Sequence, residues 1–265
     1  MFRTSFRLAE DEREEVLDRL LPLLPAGVRD DGGDLLSTLS GAPLDRAALE
    51  AAAGQALDGW SVQDVPADWR ERRALLGGGG VLVAGRVWVR SPWDPPAADG
   101  VVDVVVERRG SAFGSGSHPT TQMCLALMLG LEPSGGAADL GCGVGTLAIA
   151  AAKLGWGPVV AVDRVAVAIE VARENVARNG VEIDCAVADL AEAEIPLAPL
   201  LLANAPPPVH ERVAAALTPE VRHVIVSGIV ADEVPDVLAR YRAAGYEAAE
   251  ALGTEDEWIA LRLSC

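Results

Sequence analysis

The chain has 265 residues, half of them hydrophobic, and 39 acidic against 22 basic side chains give it a formal net charge of −17. This length suits one large domain, or a medium domain with a small one, and the apolar content excludes a chain that is disordered throughout. The acidic surface argues against direct nucleic-acid binding and favours a basic protein as partner.

The cysteines and the N-terminus indicate the compartment. The four cysteines form no CxxC pair and no metal-ligand spacing with the three histidines, so we expect neither disulfides nor a metal site. Arg3 and Arg7 near the N-terminus are followed by an acidic run instead of the apolar core of a secretory signal. No stretch approaches the roughly 20 apolar residues of a membrane span. We therefore expect a reduced, cytoplasmic protein without membrane contact.

Residues 1–74 contain two segments with helical periodicity, set between apolar extended segments. In chain order they are the strand Phe2–Leu8, the helix Asp11–Leu24, a poor hairpin over Val28–Ala42, the helix Leu44–Leu57 and the strand Trp60–Val65. This order is typical of a small ferredoxin-like α+β module. We expect residues 1–74 to form such a domain, and to recognise the substrate.

Residues 75–105 differ in composition from both flanking regions. Gly77–Gly80 is a run of four glycines, which is typical of a flexible turn or linker. Val87–Trp93 and Val101–Val106 read as short strands, and Pro95 with Pro96 divides them. We expect a linker with short strands here, between the small domain and a large one over residues 106–265.

Residues 106–265 alternate strictly between apolar strands and helices. The predicted strands are Ala137–Leu140, Val159–Asp163, Glu182–Val187, Leu200–Asn204, His223–Ser227, Tyr246–Leu252 and Trp258–Leu263, and the predicted helices are Thr120–Leu131, Thr146–Leu154, Ala166–Asn179, Val209–Leu217 and Asp232–Ala244. Such alternation predicts an α/β fold with a doubly wound, Rossmann-like parallel sheet. The last two strands have no helix between them and predict an antiparallel hairpin.

The segment Ala138–Gly145 has the features of a cofactor loop. Asp139 lies at the end of a strand, glycines follow at positions 141, 143 and 145, and a helix begins directly afterwards. A dinucleotide-binding loop has the spacing G-x-G-x-x-G, whereas G-x-G-x-G favours S-adenosylmethionine. We expect Asp139 to face the methionyl ammonium and the backbone of Gly141, Cys142, Gly143 and Gly145 to contact the cofactor; the alternative is that Asp139 only caps the turn.

Two further aspartates follow the next two strands. Asp163 lies 24 residues after Asp139, where an acidic side chain of nucleotide-binding sheets accepts hydrogen bonds from the ribose hydroxyls. Its alternative role is the N-cap of the following helix. Asp189 follows the third strand, where it would accept the adenine amino group, although an acidic loop residue is ordinary.

Asn204 ends the fourth strand and is followed by Ala205 and three prolines, which predict a rigid rim with acceptor oxygens. We expect Asn204 to orient a nitrogen nucleophile and to contact the cofactor. A simple loop that stops the strand is the alternative.

The segment Ala112–Thr121 precedes a helix and combines glycines, a proline and hydroxyl side chains. It can fold over a ligand while Thr120 or Thr121 caps the helix. We expect Phe113, Thr120 and Thr121 to contact the cofactor. His118 is a minor candidate for a proton acceptor, and it can equally be a structural loop residue.

These motifs together resemble the ribosomal protein L-eleven methyltransferase family, a family of class I S-adenosylmethionine-dependent methyltransferases. The resemblance spans about residue 111 to the C-terminus and includes, besides the segments described above, Asn175 with Asn179 and Gly180, the segment Ser227–Ile229, and Glu257 with Trp258.

The resemblance implies N-methylation of lysine side chains and of the α-amino group of a large-subunit ribosomal protein. It also implies a ferredoxin-like recognition domain, and cofactor contacts at Thr121, Gly141, Asp163 and Asn204. The prolines after Asn204 depart from the family pattern towards that of amide and base N-methyltransferases, without its aromatic residue. Two alternatives therefore stay open: a methyltransferase for a small molecule or for an amide or base nitrogen, and a cofactor-binding protein without catalysis.

Overall fold

The computed structural model describes residues 2–9, 12–24, 28–30, 34–64, 80–92, 94–107, 116–254 and 257–265. They form two compact units, one containing the described residues up to 64 and the other those from 80 onward. The short strands that follow the glycine run thus group with the larger unit. The domain boundaries at 74/75 and 105/106 remain predictions from the sequence.

The smaller unit is a four-stranded antiparallel sheet with two helices. The sheet order is β2-β3-β1-β4, so the first strand lies in the middle. Phe6, Leu20, Leu36, Leu49 and Leu57 are buried in its core. The elements are β1 (Phe2–Arg7), α1 (Arg13–Leu20), β2 (Arg29–Asp30), β3 (Leu35–Ser40), α2 (Arg46–Ala53) and β4 (Asp58–Asp64). They follow one another in the order β-α-β-β-α-β.

Helix α2 is shorter than the predicted segment because both of its ends are capped. Asp45 accepts hydrogen bonds from the backbone N–H groups of Ala47 and Ala48, and an N-cap of this kind fixes the first turn. Gly54 has a φ of +75° and ends the helix in the left-handed conformation. Local capping therefore sets the length of the helix.

The larger unit begins with a three-stranded sheet of β5 (Val81–Val83), β6 (Val87–Arg90) and β7 (Val102–Val105). β6 pairs antiparallel with β5 and parallel with β7. The Arg90 guanidinium donates two hydrogen bonds of 2.7 Å to the carboxylate of Asp103 on the neighbouring strand. This bidentate pair, only partly exposed, fixes the register of β6 and β7.

The main sheet has seven strands in the order β10-β9-β8-β11-β12-β14-β13. The first five pair in parallel, and β14 pairs antiparallel with both β12 and β13. Its strands are β8 (Ala137–Leu140), β9 (Val159–Asp163), β10 (Asp184–Val187), β11 (Leu200–Asn204), β12 (His223–Val230), β13 (Glu247–Gly253) and β14 (Trp258–Ser264). The predicted α/β fold and its C-terminal hairpin are confirmed.

Helices cover both faces of this sheet, which explains why its central strands are apolar without alternation. Every residue of β8 is buried, and β11 is buried up to Asn204. The helices are α3 (Pro119–Met128), α4 (Thr146–Leu154), α5 (Ala166–Asn179), α6 (Pro207–Ala216) and α7 (Val234–Ala243). Within the described residues, none of the helices is long and apolar enough to cross a membrane.

Pro207 and Pro208 lie within a helix, whereas the helix predicted from the sequence began only at Val209. Pro206 is the N-cap of α6, and Pro207 and Pro208 form its first turn. Proline is tolerated there because the first N–H groups of a helix have no intrahelical partner and its φ is already helical. The rim is therefore stiffened by a helix start.

Strand β12 bulges beside the end of β11. Its register with β14 shifts between Val226 and Ile229, and the Ser227 hydroxyl donates a 2.8 Å hydrogen bond to the Ile259 carbonyl. Gly228 has a φ of +78°, and a Cβ there would lie 2.7 Å from the backbone N and O of Ala205. The bulge thus admits the chain that follows Asn204.

We expect Gly228→Ala to destabilise the larger unit by about 3 kcal/mol, because the new methyl group meets backbone and φ stays positive. Gly180→Ala is the matched control, because Gly180 also has a positive φ, of +64°, but no atom lies within 4 Å of the added Cβ. We expect this variant to lose about 1 kcal/mol of unfolding free energy. Urea titrations followed by circular dichroism measure both. Equal losses for the two variants would show that the close approach to Ala205 is unimportant.

Candidate functional site

A pocket lies at the carboxyl ends of β8 and β11, where the strand order of the sheet reverses. Ligands of doubly wound sheets bind at this switch point. The pocket is open to solvent. Its lining residues are Thr121, Asp139, Gly141, Cys142, Gly143, Thr146, Leu147 and Asn204.

The glycine loop forms one wall of the pocket. The N–H groups of Gly141 and Cys142 both donate to the carbonyl of Val162 on β9, at 2.8 and 2.9 Å. Gly141, Gly143 and Gly145 all have positive φ, at +83°, +52° and +86°. Residues with side chains rarely adopt this conformation, and its successive use lets bare backbone line the pocket.

Asp139 is buried at the bottom of this wall. One carboxylate oxygen accepts a 2.9 Å hydrogen bond from the N–H of Ala148 in the first turn of α4. The capping role considered from the sequence is therefore present, and the side chain also lines the pocket. Burial raises the pKa of Asp139 to about 7, against the opposing effect of the Ala148 hydrogen bond. A buried carboxylate of this kind is stabilised by a cationic ligand.

Asp163 supports the loop from the end of β9. One carboxylate oxygen accepts a 2.8 Å hydrogen bond from the N–H of Gly143, and the other accepts one of 2.9 Å from the N–H of Val165. The second contact is an Asx-type turn before α5 and not the N-cap that the sequence allowed, because Val165 is the N-cap of that helix. Asp163 is outside the pocket lining but one hydrogen bond from it. Each carboxylate oxygen retains a further lone pair for a ligand.

Asn204, which lines the pocket, is hydrogen-bonded to the buried Thr120, which does not line it. The Asn204 Nδ2 donates a 3.0 Å hydrogen bond to the Thr120 hydroxyl, which lies 2.7 Å from His118 Nδ1. His118 Nδ1 also accepts the N–H of Thr120 at 3.3 Å, so that nitrogen carries no proton and the hydroxyl donates to it. The chain of donors orients the Asn204 amide with its Oδ1 left as an acceptor.

His118, and not Thr120 or Thr121, is the N-cap of α3. Burial lowers the pKa of His118, which keeps the ring neutral and able to accept. The ring also meets the indole of Trp258 edge-on, with 5.2 Å between the ring centroids. These contacts give His118 a structural function at the pocket mouth.

Thr121 is the second threonine of this turn, and it faces the pocket. It is 1 % exposed, and its hydroxyl has no hydrogen-bond partner among the described residues. An unpaired buried hydroxyl is costly, which indicates that a ligand completes its hydrogen bonding.

Four of the predicted cofactor residues that the structure describes do not line the pocket: Thr120, Gly145, Asp163 and Asp189. Asp189 is exposed and accepts a 2.9 Å hydrogen bond from the N–H of Ala191, as in an Asx turn. Gly145 is the N-cap of α4, behind the lining residues. Phe113 lies outside the described residues. The contacts of these five residues with a cofactor remain predictions.

The structure adds residues that sequence reasoning missed. Thr146 and Leu147, in the first turn of α4, line the pocket, and their position directly after the glycine loop was the available signal. His210 is fully buried and donates from Nε2 to the Ser227 carbonyl at 3.0 Å, while the Tyr241 hydroxyl donates to its Nδ1 at 3.1 Å. It ties α6 to β12 behind the rim.

The donors and acceptors of the pocket suit a zwitterionic nucleotide-like ligand better than a pyrophosphate. A buried carboxylate and an unpaired hydroxyl lie beside the loop, and none of the arginines and lysines that the structure describes lines the pocket. Among the described residues, no group of three histidine, cysteine or acidic side chains could hold a metal ion. A ligand with an ammonium group matches this lining.

Comparison with known proteins identifies the ligand class. The family model for the ribosomal protein L11 methyltransferase (PrmA) matches residues 79–264. Ribosomal protein L11 methyltransferase of Myxococcus xanthus is 32% identical over 263 residues, which are 94% of this chain and 88% of that protein. The enzyme of the same name from Bordetella bronchiseptica is 33% identical, over 84% of this chain and 73% of its own.

A solved structure agrees with these relatives. The ribosomal protein L11 methylase of Lactobacillus delbrueckii subsp. bulgaricus aligns with a TM-score of 0.61 and 26% identity, over 70% of this chain and 97% of that one. The chain is thus an enzyme with S-adenosylmethionine as its cofactor, as predicted. It belongs to the ribosomal protein L11 methyltransferase family.

Proposed function

We propose that this protein transfers methyl groups from S-adenosylmethionine to lysine or α-amino nitrogens of ribosomal protein L11. The observation that carries the proposal is the Asn204 amide at the mouth of the pocket, which Thr120 holds through Nδ2 so that Oδ1 can accept from an amine. The names of the relatives supply the substrate.

The buried polar groups of the pocket fit the cofactor. The Asp139 carboxylate pairs with the methionyl ammonium, which offsets the cost of its burial. The Thr121 hydroxyl gains the partner that it lacks among the described residues. The wall between them is the backbone of Gly141, Cys142 and Gly143.

Asp163 completes the cofactor contacts by accepting from the ribose hydroxyls. Its two oxygens already hold the N–H groups of Gly143 and Val165, so the carboxylate is fixed before the cofactor arrives. A carboxylate held in this way loses little conformational entropy on binding.

Asn204 positions the amine. A lysine ammonium has a reference pKa of about 10.4 and must lose a proton to solvent before it attacks. The neutral nitrogen then donates an N–H to Asn204 Oδ1, which aims its lone pair at the methyl carbon. The bound cofactor supplies an activated methyl group on a charged leaving group, so alignment and exclusion of water are what the protein contributes.

The charge of the chain suits a basic substrate. The formal net charge of −17 attracts a basic ribosomal protein and repels the phosphates of RNA. We infer that the enzyme acts on the free ribosomal protein without binding nucleic acid directly. The cytoplasm is the expected compartment, in keeping with four free cysteines.

Substitution of Asp139 tests the ammonium contact. We expect it to weaken cofactor binding and, at pH 8, to increase the stability of the fold. The folded-state pKa of about 7 lies above the reference value of 3.8, so the folded protein binds the extra proton and the contribution of Asp139 to stability falls as the pH rises from about 4 to 7. We expect Asp139→Asn to be more stable than the wild type at pH 8, by on the order of a few kcal/mol, with no such gain at pH 4.

The same variant is expected to lose at least about tenfold in affinity for S-adenosylmethionine in titration calorimetry, because the ammonium loses its counter-charge. Urea titrations at both pH values measure its stability, and Asp184→Asn, at an exposed strand position, is the control. Cofactor binding that survives unchanged would rule out the Asp139 contact.

The effect of substituting Asp163 is measured with two ligands, because this side chain also supports the glycine loop and its loss can weaken binding in either way. We expect Asp163→Asn to bind S-adenosylhomocysteine about tenfold or more weakly than the wild type, whereas the loss is much smaller with the 2′-deoxyribose analogue, which lacks one of the two hydroxyls. Calorimetry of both proteins with both ligands gives the coupling free energy between Asp163 and the missing hydroxyl. Equal losses for both ligands would assign Asp163 to loop support alone.

The methyl transfer itself is tested with purified ribosomal protein L11 and S-adenosylmethionine labelled in the methyl group. We expect label on lysine or α-amino nitrogen, and a fall in kcat on the order of 100-fold for Asn204→Ala, because the amine loses its alignment. Thr120→Val is expected to lower kcat as well, whereas Thr120→Ser, which keeps the hydroxyl, retains it. Mass spectrometry of the product locates the methyl groups.

Three outcomes of these assays would contradict the proposal or a part of it. Label on small molecules of a metabolite extract, with none on L11, would favour the alternative of a small-molecule or amide nitrogen acceptor. Cofactor binding without turnover on either pool would favour a binding protein without catalysis. A Thr120→Val variant with wild-type kcat would refute the orientation of Asn204 by its neighbour.

A further inference from the structure

Two asparagines one turn apart on α5 bind the backbone of residues 105–107, at the end of β7 and directly after it. Asn179 accepts from the Val105 N–H at 2.9 Å and donates to the Val105 carbonyl at 2.6 Å. Asn175 forms the same pair of bonds with Glu107, each of 2.9 Å. The two side chains therefore act as a substitute strand edge for residues 105–107.

Asn175 has one contact that Asn179 lacks. Its second amide hydrogen is donated, at 3.0 Å, to the carbonyl of Val144. Val144 lies between Gly143 and Gly145 in the glycine loop, and Asn175 holds its carbonyl, whereas β9 holds the N–H groups of Gly141, Cys142 and Gly143. The remaining amide hydrogen of Asn179 goes to the carbonyl of Asn175 within its own helix, at 2.8 Å.

The hydrogen-bonding capacity of Asn175 is fully used. The side chain is 0 % exposed, both amide hydrogens are donated, and Oδ1 accepts from the Glu107 N–H and from Arg178 at 2.7 Å. Arg178 in turn forms a 2.9 Å ion pair with Glu107. A buried, fully satisfied amide of this kind permits one arrangement of the groups around it.

The other bonds of the loop come from the sheet side. Val162 holds the N–H groups of Gly141 and Cys142, and Asp163 holds that of Gly143. Loop glycines have more conformational freedom than other residues, so a wall of backbone needs external bonds to keep one shape. Among the described residues, Asn175 is the side chain that bonds to the Val144 carbonyl.

We propose that Asn175 is a positioning residue for cofactor binding, which fixes the glycine loop through the Val144 carbonyl and couples it to the strand segment at Glu107. This inference rests on S-adenosylmethionine as the cofactor and is independent of the identity of the methyl acceptor. Its failure is therefore distinguishable from failure of L11 as substrate.

A matched pair of substitutions tests the proposal. Asn175→Asp keeps the acceptor that faces Glu107 and Arg178 but removes the donations to the carbonyls of Glu107 and Val144. Asn179→Asp keeps the acceptor that faces Val105 and also removes two donations, to the carbonyls of Val105 and Asn175, but neither of them is a bond to the loop. We expect the Kd for S-adenosylmethionine to rise at least fivefold for Asn175→Asp and to stay within twofold for Asn179→Asp, although both lower the Tm. Calorimetry and thermal unfolding of the full chain measure these quantities.

The kinetic constants separate positioning from general damage. Asn175→Asp is expected to raise the KM for S-adenosylmethionine while kcat at saturating cofactor stays within about twofold, since Asn204 and Thr120 are untouched. A wild-type Kd for Asn175→Asp, or an equal rise in both variants, would overturn the proposal.

Hydrogen exchange on the wild type keeps the proposal testable if a variant does not fold. Addition of S-adenosylmethionine is expected to slow exchange of the Glu107 amide, which Asn175 holds, more than that of the Val105 amide, which Asn179 holds. Glu107 does not line the pocket, so direct shielding does not explain such protection. An unchanged Glu107 rate on saturation with cofactor would also overturn the proposal.

Discussion

The parallel pairing of β8 with β11 is the constraint on which the site depends. The two strands are far apart in sequence, yet Leu200–Leu202 lies in register with Ala137–Asp139, so both chains leave the sheet at the same edge. Strand β9 joins β8 on the other side, and its end supplies the Val162 carbonyl and the Asp163 carboxylate to the loop. Burial of these apolar strands thus determines where the polar groups meet.

The cost of this arrangement is concentrated at Asp139. The carboxylate sits where the interior of the sheet ends, and a single backbone N–H offsets only part of its desolvation. A carboxyl group selected for stability alone would be replaced by an apolar or amide side chain. Its retention in the pocket is consistent with a ligand that supplies the missing charge, and such trade-offs are common at functional sites.

The sequence predicted the groups whose position follows from strand order. Asp139 and Asn204 end parallel strands, so their convergence needed no more than the alternation of strands and helices. His118 as a helix cap was missed because threonine is the stronger capping residue and two of them follow it. The predicted helix began at Val209 and omitted Pro207 and Pro208, although proline is also favoured in a first helical turn.

Other contacts had no local signal at all. Asn175 bonds to residues 68 and 31 positions earlier in the chain, and such partners become visible only when α5 packs beside the loop. The close approach of Gly228 to Ala205 is similar, because a glycine in a strand pattern indicates a bulge without naming the segment that fills the space. Long-range side-chain to backbone bonds were therefore the part of the site that pattern reasoning could not supply.

The proline start of α6 has a consequence for the chemistry of the rim. The beginning of a helix ordinarily offers free N–H groups that attract carboxylates and phosphates. Here Pro206, Pro207 and Pro208 have no N–H, and the N–H of Val209 is already donated to the Pro206 carbonyl at 3.0 Å. Residues 206–209 therefore leave no backbone N–H free at the start of α6. A carboxylate or amide oxygen would find no free backbone N–H among these residues. An amine carries its own N–H groups and does not need a backbone donor.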